Sequence, residues 1–340
     1  MQPIAPPVAV ALLAALAAGS LAMWVLAVRR LRAGEPLISF EPRRPVPWGV
    51  AEFVLIILLY FVIGGLVARF LFDDPGGGVK SSRATTIGLL LTGLASLAVI
   101  GGGALVLVRV AGATWRDLGW SRRDLWGDLR LGLAAGLAIT APVFAVQSIV
   151  TTGFGLKSEH PLIELVERER TFSVYLVALF LAVGVAPLAE EFLFRVLLQG
   201  WLEARQTRAA AERQLNDALA AQLASPAAAL DATGTSSTDA DNPYAAPRIT
   251  PEPTHSSAAP INDEIDLVAG QLVPAWWPLV TSAAIFAALH VTQGPDPIAL
   301  FPLALVLGYL YRQTHRLLPS LVAHAFLNAA SMLLLWLNLG

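Results

Sequence analysis

Eight stretches of the chain are almost wholly apolar, separated by shorter polar stretches, at 8–28, 50–72, 84–108, 131–150, 172–202, 276–291, 298–311 and 317–337. At ~1.5 Å rise per residue, about 20 helical residues cross a ~30 Å hydrocarbon core. The pattern predicts an all-α, polytopic membrane protein of about eight transmembrane helices with an intramembrane cavity. The seventh block is the short one, and the fifth is interrupted by Pro187 and three charges. The first block reads as a retained span and not as a secretory signal. Residues 1–7, MQPIAPP, lack the basic flank of a signal, and the apolar stretch is longer than a signal core.

Between Arg205 and Val273 the pattern changes to runs such as SPAAALDATGTSSTDADNPYAAP, which hold too little apolar surface to fold alone. The start of this insertion, RAAAERQLNDALAAQLA, is Ala-rich, with Leu215, Leu219 and Leu223 spaced by four. The fifth span is therefore expected to continue as a helix out of the membrane, with the remainder disordered. His255, within it, reads as a solvated bystander. Three parts follow: residues 1–130 with the first three spans and a cytoplasmic loop, a helical core at 131–205 and 275–340, and a cytoplasmic insertion at 206–274.

Composition supports the membrane reading and adds an orientation. The chain is 56% hydrophobic and 14% charged, against roughly 25% charged residues in soluble domains. It has no cysteine, which removes disulfides, thiolate catalysis and Cys-ligated zinc. No basic patch interleaved with aromatics points to nucleic acid. Fifteen Lys and Arg residues follow the odd-numbered spans, from Arg29 to Arg316, and five follow the even ones: Lys80, Arg83, Lys157, Arg168 and Arg170. Basic loops stay in the cytoplasm. The expectation is a multi-pass protein of the cell (inner) membrane with its N-terminus outside.

An ionisable side chain facing lipid costs ~2.5–3.5 kcal/mol even on lenient scales. Glu52, Arg69 and Arg109 lie near span ends, where they can reach the interface. PLAEEFLFRVLLQGWLE instead sets Glu190, Glu191 and Arg195 inside an apolar run. Glu191 and Arg195 are neighbours one helical turn apart and can pair. Glu190 points about 100° away. Read alone, the three charges fit a bracing network as well as a catalytic site. Two further spans carry polar groups: His290, one turn after Phe286, and His324 with Asn328 on one helix face. His160 and His315 fall in loops. Counted from the cytoplasmic ends, Glu190 and His290 lie ~20 Å along their helices, and Arg195, His324 and Asn328 ~12–18 Å. The polar set is thus expected in one slab of the bilayer, reachable from the cytoplasmic side.

A carboxylate and an imidazole sharing a water can deprotonate it, while a second imidazole and an amide can stabilise the resulting oxyanion. No Ser or Cys nucleophile accompanies the set. The alternative use of Glu190, His290 and His324 is to bind zinc, although HExxH is absent.

EEFLFR, FAALH (Phe286 to His290) and HAFLN (His324 to Asn328) resemble the EExxxR, FxxxH and HxxxN motifs of the CAAX protease and bacteriocin-processing family. The resemblance covers roughly residues 120–205 and 275–337, and the insertion departs from the family pattern. It implies a metal-independent glutamate protease, of a family long labelled metalloproteases, with its site in a cytoplasm-facing membrane cavity. Glu190 and His290 would activate the water, His324 and Asn328 would form the oxyanion hole, and Glu191 and Arg195, with Phe286, would support them. The partners implied are membrane lipid and a membrane-associated or lipidated peptide. Two other readings stand beside it: a non-proteolytic scaffold or bacteriocin-immunity-type protein, and a proton-coupled transporter. The transporter would carry inverted repeats and half-helices, which the sequence does not display.

Overall fold

The computed structural model describes residues 7–72, 82–122, 124–156, 160–223 and 261–339. The expected disorder at 224–260, with His255, and the loop charges Lys80, Arg123 and Lys157 lie outside them. Among the described residues the elements are helical, with no strand. They are α1 (Pro7–Arg32), α2 (Val50–Phe72), α3 (Ser82–Arg109), α4 (Leu125–Ser148), α5 (Pro161–Glu169), α6 (Phe172–Phe180), α7 (Ala186–Glu191), α8 (Gly200–Leu223), α9 (Ile261–Ala269), α10 (Trp277–Ala288), α11 (Asp296–Thr314) and α12 (Leu317–Leu339). Wider π turns, at Leu181–Val185 and Phe192–Gln199, join α6 to α7 and α7 to α8.

The chain is a multi-pass helical membrane protein. All eight apolar blocks are helical, and six helices are long and apolar enough to cross a membrane. The other two depart from the expected eight. α10 has 12 residues, or ~18 Å of helix, short of the ~30 Å core. α11 has 19 residues but carries Asp296 and Arg312 at its ends. They pack on each other. α2 shows why lipid is required: only 6% of its apolar window is buried, leaving Leu58, Phe61, Val62 and Leu66 exposed as a continuous apolar face. Glu52 caps that helix by accepting from the Gly49 N–H at 2.8 Å, an end position consistent with its interfacial reading.

The helices form two compact units. In the smaller, Pro42–Pro45 with Ala204–Val273, Arg208 pairs with Asp266 at 2.7 Å and so ties α8 to α9. The larger holds the rest. Its centre is the packing of α12 on α4 and of α11 on both, around Ile139, Val143, Leu303, Leu307, Ala323 and Leu327. α4 offers Gly132 and Gly136, one turn apart, to α12. A Cβ on Gly132 would fall 2.6 Å from Val322 Cβ and 2.7 Å from the Pro319 carbonyl oxygen. On Gly136 it would fall 2.9 Å from Phe326 Cβ. Small residues at this spacing let membrane helices approach backbone to backbone.

α5 was not foreseen. Its short apolar face, with Val166 at its centre, packs with Val174, Tyr175, Ala178 and Met332. Pro161 starts it, His160 caps it by accepting from the Leu162 N–H, and Arg170 ends it in the left-handed region at φ 46°.

Gly136→Leu is expected to push α12 off α4 and to cost ~1–3 kcal/mol by overpacking. Thermal unfolding of the detergent-solubilised protein checks this: an unchanged melting temperature would show that the two backbones are not in contact.

Candidate active site

The helix that carries the first motif is not regular, and its irregularities are filled from other helices. In the π turn Leu181–Val185 the Ala186 N–H bonds to Leu181 O, five residues back. The next carbonyl, Ala182 O, would need Pro187 as donor, and proline has no N–H. Asn328 of α12 supplies the missing hydrogen, its Nδ2 donating to Ala182 O at 2.8 Å. The second π turn is served likewise: Ser282 Oγ donates to Phe194 O at 2.8 Å and Trp48 Nε1 to Leu197 O at 3.2 Å. π turns cluster at functional sites, and here each one pins a neighbour to the motif helix.

Glu191 and Arg195 form the expected pair, with 3.3 Å between Oε2 and Nε, and both side chains have no exposure. Arg195 also donates from Nη1 to Ser282 Oγ at 3.3 Å and lies over the Phe286 ring, 5.5 Å from its centroid. Phe286 in turn packs beside His290 and, edge-on, His324. His324 joins the pair from α12, its Nδ1 donating to Glu191 Oε1 at 3.1 Å. Its Nε2 lies 3.6 Å from Glu190 Oε2. With a carboxylate at each ring nitrogen, the doubly protonated imidazolium is the form that offers a hydrogen to both.

Glu190, His290, His324 and Asn328 all line one cavity of about 290 Å³, with Phe286 in its wall. The structure thus brings together every residue expected in the slab. Glu190 is 24% exposed at its side chain, whereas Glu191 and Arg195 are sealed. His290 departs from its expected place inside a helix: α10 ends at Ala288, and His290 sits in the turn that follows. Its Nδ1 lies 2.8 Å from Phe286 O. A carbonyl only accepts, so Nδ1 is the donor, and the neutral tautomer that fits this bond has its lone pair on Nε2.

The cavity also takes in residues that the sequence did not single out: Gln147 at the end of α4, His160 before α5, and Gln293 and Asp296 before α11. Gln147 Nε2 donates to Asp296 Oδ1 at 2.8 Å. Burial holds His160 below the usual imidazole range, more strongly than nearby Asp296 raises it. It therefore stays neutral at pH 7. Its Nδ1 accepts from the Leu162 N–H at 3.3 Å, leaving Nε2 as its donor. Nothing in a local pattern marked Gln147 and Asp296, which gain their meaning from each other across 149 residues.

Access differs from expectation. The cavity runs from Glu190 and His324 towards the bundle end that holds His160, Gln293 and Asp296. The arginine-rich end is closed. Every residue from Glu191 to Gly200 is buried. Beyond them Gln199 bonds to Glu203 and to Gly308 O, both at 2.9 Å. His315, also unmarked in the sequence, lies buried at that end, 3.6 Å from Glu203 and 2.9 Å from Glu41 O. None of the packed residues from Glu191 to Gly200 is among those that line the cavity.

Among the described residues no three His, Asp or Glu side chains are grouped as a metal site, Glu190, His290 and His324 included. Glu191→Gln is expected to cost ~3–5 kcal/mol, because it strands the sealed Arg195 charge. Glu190→Gln, at a partly exposed position, is expected to cost about 1 kcal/mol or less. Denaturant or thermal unfolding of the two variants in detergent reads the difference, and equal destabilisation would remove the distinction between supporting and reacting carboxylate.

Residues 266–330 match a family model described as type II CAAX prenyl endopeptidase Rce1-like. That stretch contains FAALH and HAFLN and ends outside EEFLFR, which reaches the same cavity through the fold. No curated protein and no solved structure matches the chain. Over the segment that holds His290 and His324, this multi-pass membrane protein is therefore similar to the Rce1-like type II CAAX prenyl endopeptidases, the family its three motifs resemble.

Proposed function

We propose that this protein is an intramembrane endopeptidase that hydrolyses a peptide bond of a membrane-associated or lipidated protein with a water activated by Glu190 and His290. The observation that carries the proposal is the convergence of Glu190 from α7, His290 from the turn after α10, and His324 and Asn328 from α12 on one cavity. We further place the protein in the cell (inner) membrane with its N-terminus outside, and treat residues 131–205 and 275–340 as the catalytic core.

A water between Glu190 and the free Nε2 of His290 loses a proton to the carboxylate as its oxygen attacks the scissile carbonyl. The new oxyanion accepts from His324 Nε2–H and from the second amide hydrogen of Asn328, whose first is given to Ala182 O. Collapse of the tetrahedral adduct breaks the C–N bond, and Glu190 returns its proton to the leaving amine. Glu191 keeps the His324 ring oriented through Nδ1 and is itself neutralised by Arg195. Val143, Phe144, Leu300, Leu327 and Met332 give the cavity an apolar wall that suits a lipid-borne or apolar peptide.

In purified, folded protein, Glu190→Gln and His290→Ala are each expected to lower cleavage of an apolar-tailed reporter peptide by ~10²–10⁴-fold. Asn328→Ala is expected to lower it by ~10²-fold. Cleavage that survives both Glu190→Gln and His290→Ala would leave the scaffold reading. Activity lost to a chelator and restored by zinc would transfer the water to a metal held by Glu190, His290 and His324.

A further inference from the structure

The cavity has a closed end and an open end, and the charges of the chain say which side of the membrane each faces. At the closed end the connections are knitted together. Glu41 N–H donates to Gln313 O at 2.8 Å, and Leu317 N–H to Gly119 O at 3.0 Å. Arg316 reaches both Glu41 and Asp128 at 2.7 Å. Arg312 donates from Nε to Pro274 O at 3.0 Å. These contacts join the α1–α2, α3–α4 and α11–α12 connections and the start of α10, so all of them lie at one end of the bundle. That end receives most of the fifteen Lys and Arg residues that follow odd-numbered spans.

At the other end lie the α4–α5 and α10–α11 connections, which supply His160, Gln293 and Asp296 to the cavity. The loops on this side carry only five basic residues in the whole sequence. Excess Lys and Arg mark the cytoplasmic face. Phe172, Tyr175 and Trp336 stack near α5 on the cavity side, with Tyr175 and Trp336 ring centroids 4.3 Å apart. Aromatic side chains of this kind collect at a membrane–water interface.

We infer that the cavity opens to the non-cytoplasmic face, so that its substrate is a peptide segment already across the membrane or lying in the outer leaflet. The substrate class rests on the endopeptidase reading; the direction of opening does not. His160 stands at the entrance with Nε2–H free to donate, which suits a peptide carbonyl or a chain-terminal carboxylate arriving from that side.

The absence of cysteine makes the direction measurable with single introduced thiols. Thr292, exposed between α10 and α11, Ala33, exposed after α1, and Ser331, in the cavity wall, are each replaced by Cys. Right-side-out vesicles are treated with a membrane-impermeant maleimide before and after permeabilisation. Thr292→Cys and Ser331→Cys are expected to label in sealed vesicles, and Ala33→Cys about ten-fold less until the membrane is opened. The reverse pattern, or a Ser331→Cys that labels only after permeabilisation, overturns the outward opening. Labelling of Denatured protein confirms that each thiol is present and reactive. If the labelling holds but wild-type vesicles cut no externally added apolar-tailed peptide while the same peptide is cut from the cytoplasmic side, the outward substrate is overturned. If it is cut from neither side, the endopeptidase reading fails and the direction of opening stands.

Discussion

A buried ion pair between Glu191 and Arg195 is the constraint around which the rest is arranged. Neither side chain touches solvent, and two such charges in an apolar bundle persist only when each has geometry and extra partners good enough to offset desolvation. Those partners come from elsewhere: His324 from α12, Ser282 and Phe286 from α10. Satisfying the pair therefore assembles three segments distant in sequence. Glu190, next to the pair but turned from it, is left at the surface of the assembly, facing the cavity and the second ring nitrogen of His324. A structural pair and a reactive carboxylate thus occupy adjacent positions with opposite environments.

Much of this was legible in the sequence, for a physical reason. Apolar blocks of spanning length can only be helices in lipid, and polar groups inside them need partners across the bundle, so Glu190, Glu191, Arg195, His290, His324 and Asn328 could be grouped before any coordinates. The i, i+4 spacing of Glu191 and Arg195 was enough to pair them. Less legible were features set by helix geometry. Counting residues at a uniform rise placed His290 inside a helix and missed that α10 stops at Ala288. Such counting also gave no sign that the cavity would be lined by His160, Gln293 and Asp296 and by none of the buried residues from Glu191 to Gly200. His160 and Asp296 carried no local mark, since α5 is too short and too polar to stand out among loops.

The contrast between the two faces of the bundle follows from what each must hold. One end is tied by carbonyl, carboxylate and guanidinium contacts among Glu41, Gln313, His315 and Arg316. It behaves as a base plate. The other end leaves polar side chains facing space, and a water needed for hydrolysis enters most readily where hydrogen-bonding groups line the way. Gly132 and Gly136 fix the distance between α4 and α12 by backbone contact, so the wall that carries His324 cannot relax by a change of side-chain rotamer.

The bond from Asn328 to Ala182 has a further consequence. In this winding the Ala186 N–H is engaged with Leu181 O and Pro187 has no N–H to give, so Ala182 O depends on Asn328. Asn328 and Pro187 together act as an index mark between two helices. If α12 slid by one turn, about 5.4 Å, the carbonyl would lose its donor at the same moment that His324 left Glu191. Partial registers are thereby penalised twice, and the two halves of the site meet in one alignment or not at all.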